Sequence, residues 1–121
     1  MRPLCLAILL IAAGPALQAE TLKGFLVDMV CARSPTDRLN LGPEHTRKCL
    51  LMPACKAGGY GILTANDVVI PFDEKGNAQA EKLLSSTTQE ADFRITANGK
   101  RRGDHFEVSR ISLEKLTQQK K

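Results

Sequence analysis

The residues that could do chemistry stand close together. Asp28, Cys31, His45, Cys49 and Cys55 follow the spacing Asp-x2-Cys-x13-His-x3-Cys-x5-Cys. Three thiolates and one imidazole complete a tetrahedral donor set, and zinc accepts each of those ligand types. Cys31, His45, Cys49 and Cys55 are therefore the candidate metal ligands, with Asp28 placed to hold a ligating ring from behind. Copper is the other candidate. Met29 and Met52 each lie within three residues of a cysteine, and soft thiolate and thioether ligands favour Cu(I). Against that, methionine is also a common filler of apolar gaps, and Met29 shares a strand face with Phe25 and Val27. The spacing contains no Cys-x2-Cys pair and follows no standard zinc-finger pattern.

A disulfide competes with the metal. Cysteine pairs form and persist in oxidising compartments, and Cys49 with Cys55 is the easiest pair by loop length. That bridge would fasten a turn broken by Pro53 and leave Cys31 over, with His45 at the surface or at a helix end. A thiol enzyme is a further alternative. His45 precedes Cys49 by four residues, one helical turn, and Asp28 could orient the ring. Nothing around them resembles a nucleophile elbow or an oxyanion loop. A Cys-x-x-Cys redox motif and a Cys-x-x-Cys-His haem motif are both missing. Gly58-Gly59-Tyr60-Gly61 lacks the Lys-Ser/Thr of a phosphate loop and reads as a turn into a strand.

The compartment is read from the N-terminus. Arg2 precedes the apolar run Leu4–Ala13, Gly14 and Pro15 break it, and Ala19 offers a small residue for cleavage. This is the order of an export signal, and the run is too short to span a bilayer. Residues 1–19 are expected to be the signal, leaving a single domain over 20–121 in the periplasm or outside the cell. Cys5 leaves with the signal, so three cysteines remain. Such a length excludes a dinucleotide-binding enzyme or a multi-domain catalyst. Without Arg2, 16 basic side chains against 13 acidic ones leave a net charge of +3. Basic residues cluster late, at Lys100, Arg101, Arg102, Arg110 and Lys115, which could attract nucleic acid. With no Trp, one Tyr and four Phe, the chain has few stacking platforms for it. An unidentified protein or small ligand is the expected partner, and no transmembrane segment is expected in the mature chain.

The elements that must position the cluster follow from the patterns. Residues 22–30 alternate with apolar side chains on both faces, a strand buried on both sides. A loop is expected over 33–42. Pro43 suits the first position of a helix running to about Leu51, and Pro53 would stop it. Residues 60–64 and 68–72 read as a hairpin, with Pro71 at an edge. Asn77 would cap a helix over 78–85. Phe93, Ile95 and Ala97 start a strand, Asn98-Gly99 opens a turn that Arg102-Gly103-Asp104 closes, and Phe106 and Val108 begin the return strand. Ile111 and Leu113 continue it in opposite phase, which implies a bulge at Ser109 and Arg110. The expected fold is mainly β with short helices (α+β). It is a small five-stranded OB-like Greek-key barrel with a helical insertion after strand 1, over about 31–59.

Gly24-Phe25-Leu26-Val27-Asp28 with Cys31, then His45 and Cys49, Met52-Pro53-x-Cys55 and Gly59-Tyr60-Gly61, form a recognisable set. Over residues 23–113 the chain resembles small exported bacterial domains of unknown function, which carry a G-x-L-V-D-x-x-C strand, an H-x3-C helix and an M-P-x-C-x3-G-Y-G segment. The resemblance implies that Asp28, Cys31, His45, Cys49 and Cys55 belong to one motif. It leaves metal, disulfide and reaction open.

Overall fold

The structure, a computed structural model, describes residues 18–34 and 41–115. The expected signal segment up to Leu17, the middle of the 33–42 loop and the tail from Thr117 lie outside the described residues. The elements run β1 (Glu20–Asp28), α1 (Met29–Arg33), α2 (Arg47–Leu50), α3 (Pro53–Gly58), β2 (Tyr60–Thr64), β3 (Val69–Pro71), α4 (Glu74–Ser86), β4 (Arg94–Arg102) and β5 (His105–Leu113). The strands form one antiparallel five-stranded sheet in the order β3-β2-β1-β4-β5.

β1 is central because both of its faces are apolar. Leu22 and Leu26 enter the main core with Tyr60, Ile62, Phe93, Ile95 and Phe106. Val27, with Phe25 packed beside it, enters a smaller cluster on the other face with Met29, Ala32 and Leu41. The main core is closed by α4. Its Gly76, Ala80 and Leu84 recur every fourth residue and are buried, which gives the helix one apolar stripe against β5. The hairpin bulge is as expected. Asn98 pairs with Arg110 and Gly99 with Val108, so Ser109 is the extra residue, and its hydroxyl donates to Asn98 O at 2.9 Å.

Several expectations need correction. The expected barrel is not closed. Instead of a ladder between edge strands β3 and β5, the chain just past β3 touches β5 through a parallel bridge between Phe72 and Phe106 and through Asp73, whose amide donates to Phe106 O at 3.1 Å and whose Oδ1 accepts from the Val108 amide at 3.2 Å. α4 starts three residues before Asn77, because Asp73 caps it by accepting from the Gly76 amide at 3.0 Å. Asn98-Gly99 lies inside the strand at the bulge, so the turn is confined to its expected end, at Gly103-Asp104. The helix expected from Pro43 begins only after Thr46, whose hydroxyl accepts from the Cys49 amide at 3.2 Å. Pro53 does end that helix, and it also starts the next one as the first residue of α3.

Candidate functional site

The site lies where β1 ends. Asp28 is the last residue of the strand, paired with Tyr60 of β2, and is fully buried. The strand stops there because its carboxylate takes over as a helix cap: Oδ1 accepts from the Cys31 amide at 2.8 Å. An aspartate satisfying an amide three residues on is a standard helix start. Cys31 therefore sits on α1, not at the strand end where the alternation put it.

α3 packs against α1 and brings Cys55 to the same point. Ligand-type atoms of Asp28, Cys31 and Cys55 all lie within 4.8 Å of one another. Cys31 is half-buried and Cys55 buried. His45 approaches Asp28 from the other side, with Nε2 2.9 Å from Oδ2. His45 itself is 7% exposed. At that distance the buried ring and the buried carboxylate are each other's partner.

Of the sequence candidates, Cys31 and Cys55 come together, joined by Asp28, and His45 reaches them only through the aspartate. Cys49 lies on α2, exposed and outside the group. His45 precedes the Thr46 cap, so the shared helix face expected for His45 and Cys49 does not form. No disulfide links the cysteines among the described residues. Met29 lies in the smaller apolar cluster and Met52 is 50% exposed.

Electrostatics make the centre anionic. Burial alone would raise the Asp28 pKa. The His45 ring, the Cys31 amide and the Cys31 thiol outweigh it and hold the carboxyl at about 2, below its usual 3.8. Burial pushes the Cys55 thiol up, and the neighbouring Asp28 carboxylate adds to this, taking it to about 11. An ionised carboxylate thus faces a thiol that keeps its proton at neutral pH, and a cation there would reverse the balance, since a coordinating thiol is deprotonated outright.

Sequence reasoning missed the anchors around the cluster. The Tyr60 hydroxyl donates to Leu50 O at 2.7 Å, tying α2 to the sheet. The Tyr60 amide donates to Asn77 Oδ1 at 2.8 Å, and the Met29 amide to Gly59 O at 2.9 Å. Gly59 has φ +84°, in the region that favours glycine. A Cβ on Gly61 would stand 2.7 Å from Ile70 O and 3.0 Å from Met29 Sδ. The Gly-Tyr-Gly run is thus a packing device that joins insertion, sheet and α4. Its pattern was visible in the chain, but its partners were not.

The chain matches no protein family, no curated protein and no solved structure with which it was compared. Among the described residues no helix is long and apolar enough to cross a membrane.

Proposed function

We propose that this chain is an exported, small metal-binding domain in which Asp28, Cys31 and Cys55 hold one Zn²⁺ that fastens the helical insertion to the sheet. The observation that carries the reading is the convergence of those three ligand types within 4.8 Å of one another at a buried carboxylate. In this reading His45 orients Asp28 in place of ligating the metal, a partnership common behind metal ligands. The two residues exchange the roles that their types alone suggested.

Zinc is favoured over Cu(I) because the set mixes oxygen with sulfur and neither methionine joins it. A structural role is favoured because α1, α2 and α3 have only five, four and six residues. Helices that short have little stability of their own, and a cross-link between α1 and α3 supplies what they lack. Export to the periplasm or beyond rests on Arg2, the Leu4–Ala13 run and Ala19. The scaffold is read as OB-like: its strand order and the parallel contact of Phe72, just past β3, with Phe106 of β5 follow that barrel's plan.

Co²⁺ titration of the reduced protein tests the reading. The expected result is one cobalt per chain with tetrahedral d–d bands and a thiolate charge-transfer band. Cys31→Ser and Cys55→Ser should abolish the charge-transfer intensity or sharply reduce it, while Cys49→Ser retains it. No cobalt binding, or binding lost in Cys49→Ser alone, would overturn it.

A further inference from the structure

We infer that Cys31 and Cys55 are the pair that oxidation joins, and that this disulfide and the metal are alternative occupants of one site. The second half rests on the zinc reading; the first stands on geometry alone. The sulfurs of Cys31 and Cys55 lie within 4.8 Å, on two helices that already pack together. A disulfide needs sulfurs about 2 Å apart, so these two have to close by no more than about 3 Å to bridge. Proximity in sequence favoured Cys49 with Cys55, but Cys49 is on the exposed side of α2 and outside the cluster.

Burial assigns the order of events. Cys31 is half-buried and Cys55 buried, so Cys31 is the sulfur of the pair that an external disulfide reaches. Its thiolate attacks one sulfur of a protein or small-molecule disulfide, RSSR, giving Cys31–S–S–R and one RSH. The Cys55 thiol then attacks the Cys31 sulfur, its proton passing to the departing RS⁻, which forms Cys31–S–S–Cys55 and releases the second RSH. Two thiols are oxidised, one disulfide is reduced, and both protons leave on the released thiols. The bridged site retains Asp28 but has no thiolate left, so it has lost two of three metal ligands. Cys49 keeps its thiol throughout.

The test uses the purified protein, reduced and freed of metal, then equilibrated with oxidised glutathione. Remaining thiols are alkylated and the bridges mapped by mass spectrometry of non-reduced peptides. The expected product links Cys31 to Cys55, with Cys49 alkylated, and Cys49→Ser gives the same bridge in the same yield. The bridged protein is expected to lose zinc binding completely and regain it on reduction. A principal bridge from Cys49, or no bridge within a chain that circular dichroism shows to be folded, would overturn the pair even if the reduced protein binds zinc. A reduced protein that binds no zinc yet forms the Cys31–Cys55 bridge would instead overturn the zinc reading and the exclusion, leaving the pair standing.

Discussion

The two halves of this molecule are held together by different physics. In the sheet and α4, Tyr60, Phe93, Phe106, Leu84 and Ile95 are fully buried in one apolar cluster, and strand ladders satisfy the backbone. The insertion has three helices of six residues or fewer; α1 packs in a smaller cluster with Val27, Met29, Ala32 and Leu41, and α2 reaches the main core through Leu50 alone among its buried residues. Its centre is polar: a buried carboxylate, an imidazole and two thiols. The scaffold draws its stability from area removed from water, which needs no ligand. The insertion depends on a few directional contacts and, in the proposed reading, on a cation. In that reading the fold separates a rigid scaffold from a part that responds to metal or oxidant.

That contrast can be broken at several points. Phe106→Ala should have the largest effect, about 3–5 kcal/mol, because it empties the shared core. Urea unfolding followed by circular dichroism should show one cooperative transition shifted to lower midpoint. A loss near zero would mean the sheet is not the stabilising half.

The polar centre should reveal itself through pH, in chelator. Cys55 has a pKa raised from 9.0 to about 11, so its contribution is complete below pH 9 and is lost as pH rises through about 11. That is worth about 3 kcal/mol by linkage. Asp28 has a pKa lowered from 3.8 to about 2, so its contribution is present above pH 4 and is lost as pH falls through about 2, worth about 2 kcal/mol. Stability measured across both windows should fall at each end, and Asp28→Asn should remove the acid limb and weaken the alkaline one, because the carboxylate adds to the Cys55 shift.

Tyr60→Phe sharpens the comparison further. It removes only the hydroxyl that donates to Leu50 O, leaving a buried carbonyl without that partner, at about 1–3 kcal/mol. Amide exchange should quicken around Arg47–Leu50 more than in β4 and β5. Equal acceleration everywhere would contradict the anchor.

Much of the scaffold was legible in the chain because period-two alternation reports burial directly. Both faces of β1 and the phase slip at Ser109 could be read that way. The helix starts were not, because capping is a competition that tertiary partners decide. Asn77 looks like a cap but is held by the Tyr60 amide, and Asp73 caps instead while also accepting from the Val108 amide. The cluster was legible only in part: Cys31 and Cys55 come together with Asp28, His45 meets Asp28 alone, and Cys49 stands apart. Spacing put Asp28, Cys31, His45, Cys49 and Cys55 in one stretch, but a helix assumed from Pro43 paired His45 with Cys49. The Thr46 cap breaks that pair and turns His45 to Asp28. Asp-x2-Cys, the spacing of a capping aspartate, was the available clue that Cys31 opens a helix.

The central claim is that a cation at Asp28, Cys31 and Cys55 holds the insertion to an independently stable sheet. Hydrogen exchange on the reduced protein, with and without one equivalent of zinc, measures this most directly. The account predicts that zinc slows exchange in Met29–Arg33 and Pro53–Gly58 while leaving β4 and β5 unchanged, and that Cys55→Ser abolishes the slowing. Zinc-independent exchange in those helices, or protection that persists in Cys55→Ser, would contradict it.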